Sequence, residues 1–194
     1  MSHLQRIPFG FGSLLLVLAA MLLTTPVRAA LEPARIEAYI ATLPAVRELG
    51  ETLKSEGKQA FLARQIMPRA GEPFDPHHRA VQALQQGEPD YFRQLESTVL
   101  AQGFTSATSW ANTGDQVVLA YGAVKVSAES PEMLALSQQG KAQRDMLLQT
   151  LPPQQREQLR QALTIADALA QVSGADREAV RPYIAELDRL FAQD

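Results

Sequence analysis

Apolar residues recur at helical spacing along almost the whole chain, and helix punctuation separates one run from the next. Glu32-Pro33 opens a segment carrying Ile36, Tyr39, Ile40 and Leu43. Pro44 is read as restarting a helix, with Val46, Leu49 and Leu53 on one face, until Gly57 interrupts it. A short apolar stretch from Ala60 to Met67 follows, then a turn-rich linker from Pro68 to Pro76 that holds Gly71 and Pro73. Asp75-Pro76 has the form of an N-cap followed by proline at the first helical position, where the missing N–H costs nothing. That helix carries Val81 and Leu84 and stops at Gly87; Pro89 starts the next, with Phe92, Leu95 and Val99, which stops at Gly103.

Thr105 or Ser106 is expected to cap a longer helix with Trp110, Gly114, Val117, Val118, Tyr121 and Val124 on one face. A glycine in such a stripe marks a close crossing or a bend. Gln116 to Val126 is rich in β-forming residues, yet its helical spacing and the lack of a second strand signal to pair with make it helix. Ser130-Pro131 opens another helix, apolar at both ends and almost wholly polar from Ser137 to Asp145, so residues 131–149 are read as either one helix or two. Pro152-Pro153 begins a helix that points Leu159, Leu163, Ala166 and Leu169 inward and ends at Ser173-Gly174. The last helix aligns Val180, Ile184, Leu187 and Phe191, with Glu178/Arg181 and Glu186/Arg189 as ion pairs on its other face. Helices joined by short proline and glycine turns predict an all-α fold, an antiparallel helical bundle of about six to eight helices. Residues 30–194 form a single domain in this reading: 30–67 can make an N-terminal helical hairpin, 68–76 are the linker and 77–194 are the main bundle.

Residues 1–29 stand apart and read as a secretory signal peptide. Arg6 and the amino terminus give a positive start, Phe9 to Leu23 is an uncharged apolar run, and Val27-Arg28-Ala29 is a small-residue exit. The run has about 15 residues, short of the roughly 20 that span a bilayer. Cleavage after Ala29 leaves no membrane span, and an uncleaved N-terminal anchor is the alternative. The mature chain then has 165 residues, with 16 lysines and arginines against 21 carboxylates, a charge of −5. This acidic balance argues against nucleic acid as a partner, whose phosphates call for basic groups. There is no cysteine, which excludes a disulfide framework, a thiolate zinc site, a cysteine nucleophile and a lipidated N-terminal cysteine. Export without cysteine points to a bacterial protein, periplasmic or secreted.

Candidate chemistry is sparse. His77 and His78 are the only histidines after cleavage. Adjacent histidines on a helix point about 100° apart, and helical metal pairs sit four residues apart. No metal site is therefore assigned, His77 and His78 being the only candidates, and no cofactor is expected. The first turn they occupy is read as solvated and capped by Asp75. Trp110 lies among Thr108, Ser109, Asn112, Thr113 and Asp115; its place in the apolar stripe makes it a core residue, and Asp115 is expected to face water. The chain has no Gly-x-Ser-x-Gly elbow, phosphate-cradling glycine loop or His-Glu-x-x-His, so no catalytic residue is assigned.

One local pattern carries a likeness. Leu151-Pro152-Pro153-Gln154-Gln155, with Arg156 and Leu159 after it, resembles the Leu-Thr-x-x-Gln motif of periplasmic stress chaperones of the Spy and CpxP type, with Pro152 in place of the threonine and a single copy. The resemblance implies a small exported all-helical protein that binds unfolded clients or signalling partners without chemistry.

Two functions follow as expectations. The leading one is an exported, non-enzymatic helical protein that binds a protein or small-molecule partner. The alternative is a small-ligand-binding protein or hydrolase whose pocket is built from Trp110, Asn112, Tyr121 and the His77/His78 turn. A concave pocket with either histidine within hydrogen-bond reach of Asp115, Glu72 or a serine hydroxyl would favour the alternative; a broad apolar surface would favour a protein binder.

Overall fold

A computed structural model describes residues 30–192, all in helices and connecting turns; the leader read at residues 1–29 lies outside the described residues. The helices are α1 (Pro33–Ser55), α2 (Gln59–Ile66), α3 (Pro76–Gly87), α4 (Pro89–Ala101), α5 (Ala107–Glu129), α6 (Pro131–Gln138), α7 (Lys141–Thr150), α8 (Pro153–Ala170), α9 (Gly174–Val180) and α10 (Ile184–Phe191). A 3-10 turn at Arg181–Tyr183 joins the last two end to end, so the described residues make nine helical rods. No helix among them is long and apolar enough to cross a membrane.

Proline at the first position opens α1, α3, α4, α6 and α8, because there it forfeits no intrahelical bond. Two helices end on glycines that need a left-handed backbone. Gly103 (φ 83°) lets the Phe104 amide reach the Val99 carbonyl and its own amide reach Leu100. Gly57 (φ 74°) repeats this after α1, with Lys58 bonded to Leu53 and Gly57 to Lys54. This pair of hydrogen bonds satisfies two of the last carbonyls of a helix and turns the chain away.

One boundary differs from the sequence reading, and one that it left open is decided. Pro44 lies inside α1 and does not restart a helix; residues 33–55 continue through it because Ile36, Tyr39, Ile40 and Thr42 before it and Leu53 after it are all held in the interior. Residues 131–149 divide at Gln139-Gly140 into α6 and α7, neither of which buries a residue fully, so too little apolar contact exists to hold one rod across the polar middle. Of the two ion pairs expected at the end of the chain, Glu178–Arg181 forms, while Arg189 bonds instead to the Ala185 carbonyl.

Helix α5 is the axis of the body and touches α1, α3, α4, α6, α8 and α9. Its Ala107, Ala111, Val117, Ala120 and Ala123 are buried and, being small, let neighbours approach on several sides. The rival strand reading of 116–126 is thereby settled as helix. One core gathers Ile36 and Tyr39 of α1, Val81 and Leu84 of α3, Leu95 and Val99 of α4, Trp110 of α5, Val180 and Leu187. Helix α8 packs from the other side, where the Leu169 methyl would lie 2.9 Å from any Cβ added at Gly122.

Candidate functional site

The N-terminus of α3 is where the chain concentrates its polar interactions. Pro76 is the first helical residue and Asp75 stands at the cap position, but the Asp75 side chain does not cap. It reaches forward to Arg79 (2.7 Å). The cap comes from α5: Asp115 Oδ1 accepts from the His77 amide at 2.8 Å and Oδ2 from the His78 amide at 3.3 Å. The same Oδ1 accepts from His77 Nδ1 at 3.0 Å. Asp115 is therefore not solvated as its helical position suggested; it is 3% exposed. The orphan N–H groups at the start of α3 take up the carboxylate that would otherwise be unpaired in the interior.

With Asp115 accepting at Nδ1, the imidazole carries its proton there and Nε2 accepts from the Tyr39 hydroxyl, 2.8 Å away. His77 also stands edge-on to Trp110, with ring centroids 5.3 Å apart. The indole N–H donates to the Thr42 hydroxyl (2.8 Å), and that hydroxyl donates to the Tyr39 carbonyl (2.6 Å). Tyr39, Thr42, His77, Trp110 and Asp115 thus form one network across α1, α3 and α5. The first turn of α3 is not the solvated one expected, since the His77 side chain is 18% exposed.

Gly114 makes this meeting possible. A Cβ there would lie 2.8 Å from His77 Cδ2 and 2.8 Å from Tyr39 Cε2, closer than carbon atoms pack, so both rings sit directly on the α5 backbone. The close crossing read from the stripe is this one. As an acid–base relay the Asp115–His77–Tyr39 chain ends in a hydroxyl on a residue 1% exposed. Burial first, and the Asp115 charge second, push that phenol well above its ordinary range, so it serves as a donor to His77.

Beside the network opens a cleft of about 1190 Å³ between the 71–75 loop, α5, α8 and the turn into α9. Phe74, Leu119, Ala168 and Val172 give it apolar walls, and Asn112, Gln116, Thr164 and Gln171 bring hydrogen-bonding groups; His78 and Asp115 border it. Its carboxylates are engaged. Arg79 holds Asp75, Glu72 (3.0 Å) and the Pro73 carbonyl (2.9 Å), fixing the loop wall. Arg144 of α7 holds Asp167 at 2.8 Å, and Asp176 accepts from the Leu31 amide at 2.8 Å.

The residues picked from sequence separate. Asn112 and His78 line the cleft, whereas Trp110, Tyr121 and His77 are absent from its lining. Trp110 is core, 3% exposed. Tyr121 ties α5 to α10 by donating to Asp188 (2.6 Å) and meeting the Phe191 ring edge-on. Among the described residues no group of three or more His, Asp or Glu could hold a metal ion. Sequence reasoning missed Arg79, Gln116, Asp167 and Asp176; only the Asp75/Arg79 spacing of four residues was a readable signal. Compared with protein-family models, curated proteins and solved structures, the chain matches none of them.

Proposed function

We propose that this is an exported, periplasmic or secreted helical bundle of antiparallel build that works by binding rather than by covalent chemistry, and that its ligand seats in the cleft between α5 and α8. The observation that carries this reading is the cleft itself, with its mixed apolar and amide-bearing walls and a loop wall fixed by Arg79. The contact between His77 and Asp115 beside it favours the small-ligand form of the proposal. It supports the hydrolase form less, because the His77 Nε2 that would serve as base is already bonded to the buried Tyr39 hydroxyl. The test is capture from periplasmic extract by the tagged protein, analysed by mass spectrometry, in parallel with Ala168→Trp, which fills the cleft. A small molecule or peptide retained by the parent and lost from the filled variant is the expected result; identical captures would defeat the cleft as the seat.

A second reading, a chaperone-like binder of unfolded clients, is favoured by α7, where Met146 is 68% exposed beside Leu147 at 40%, just before the Leu151–Gln155 motif. Under that reading Met146→Ser with Leu147→Ser abolishes protection of an aggregating client, and filling the cleft does not. Export is tested separately: N-terminal sequencing of exported material should begin at Ala30.

A further inference from the structure

We propose that removal of the leader creates a partner for Asp176: the new α-ammonium group of Ala30 closes on the carboxylate that already holds Leu31 and pins the mature N-terminus to α9. Three observations meet here. The Leu31 side chain is buried in the core, so the chain entering α1 is anchored one residue after the expected cleavage point. The Leu31 amide donates to Asp176 Oδ1 at 2.8 Å, joining positions 145 residues apart. Among the described residues only that one oxygen of Asp176 is engaged, and the residue is held in place by its own amide on the Ser173 hydroxyl (3.0 Å).

The Leu31 nitrogen stands 2.8 Å from Asp176 Oδ1 and consecutive backbone nitrogens are at most about 3.7 Å apart, so the Ala30 nitrogen is at most about 6.5 Å from that oxygen, and a terminus freed from residue 29 can turn onto it. In the precursor that nitrogen is an uncharged amide. After cleavage it becomes an amine whose ordinary pKa is about 7.7–8.0, and a carboxylate at this range favours its charged form. Clipping therefore adds an ion pair between the two ends of the folded body that the precursor lacks. The inference rests on the export reading only for the claim that the cell makes this terminus.

The chain from Ala30 to Asp194 contains every described helix and can be prepared with a free or an acetylated amino terminus. Acetylation removes the charge and leaves the Leu31 amide in place; Asp176→Asn removes the opposite charge and keeps an oxygen to accept that amide. We expect acetylation to lower the thermal midpoint of the parent by about 1–3 °C at low ionic strength, less in molar salt, and not at all in Asp176→Asn. An equal shift in both backgrounds, or none in the parent, overturns the proposal. Should Asp176→Asn fail to fold, the α-amine pKa of the unsubstituted chain decides by nuclear magnetic resonance: a value above about 8.0 supports the pair, and an ordinary one overturns it. Exported material that starts elsewhere than Ala30 defeats cleavage after Ala29 alone, since the prepared chain still reports on Ala30 and Asp176.

Discussion

Asp115 caps α3 from another helix, and deleting its carboxylate tests that assignment against the local candidate, Asp75. Asp115→Ala leaves the His77 and His78 amides and the His77 Nδ1 proton without acceptors. Loss of an N-cap costs about 1 kcal/mol. A buried donor stripped of its partner costs about 1–3 kcal/mol more, so the substitution should destabilise by about 3 kcal/mol. In a chain of this size that lowers the midpoint by about 6–12 °C. Asp115→Asn keeps one accepting oxygen but turns an amide group toward the other donors, and about half the loss is expected. Asp75→Ala is the control. Its carboxylate, 33% exposed, pairs with Arg79 four residues on, an interaction worth below about 1 kcal/mol. Urea unfolding followed by circular dichroism measures all three. If Asp75→Ala costs as much as Asp115→Ala, the cap is local after all and the cross-helix network contributes little.

Gly114→Ala should destabilise by about 1–3 kcal/mol, because the added methyl meets both the His77 and Tyr39 rings. Gly50→Ala, in the same assay, should stabilise by about 0.5–1 kcal/mol, since that glycine sits inside α1 with nothing within 4 Å of its Cβ position. Leu187→Asp should leave the chain unfolded at room temperature, as Leu187 is wholly buried and an unpaired charge there has no acceptable setting; a native circular dichroism spectrum would contradict the docking of α10. Burial and the bond to Asp188 push the Tyr121 phenol up to about 12. The unfolded chain releases that proton near pH 10 while the folded chain keeps it, so this share of stability is present below pH 10 and is lost as pH rises toward 12. Tyr121→Phe should therefore make the fall of the thermal midpoint across that range shallower, and an unchanged slope would sink the assignment.

Helix class, most helix starts and the glycine stops were readable in the chain because they depend on neighbours within four residues. Proline at a first turn, serine at a cap, glycine with positive φ and apolar spacing are local statements, and Ser106 does cap α5 as its position suggested. Pro44 was misread for the same reason: a local rule breaks the helix there, and only the burial of Tyr39 and Thr42 against Trp110 shows why α1 runs on. The candidate site divides along this line too. His78, from the turn-rich start of a helix, and Asn112, from the polar residues around Trp110, do border the cleft, while Asp167 and Asp176 belong to it only because α8 and α9 fold back beside α5.

What the amino-acid order determined by itself is a set of amphipathic helices and where most of them begin and end. What only the tertiary structure decided is which group answers which: Asp115, 38 residues from His77, takes the role that Asp75 held on paper. The physical reason is that an interior carboxylate must find donors wherever packing brings them, while a surface carboxylate such as Asp75 has water and a nearby arginine to satisfy it.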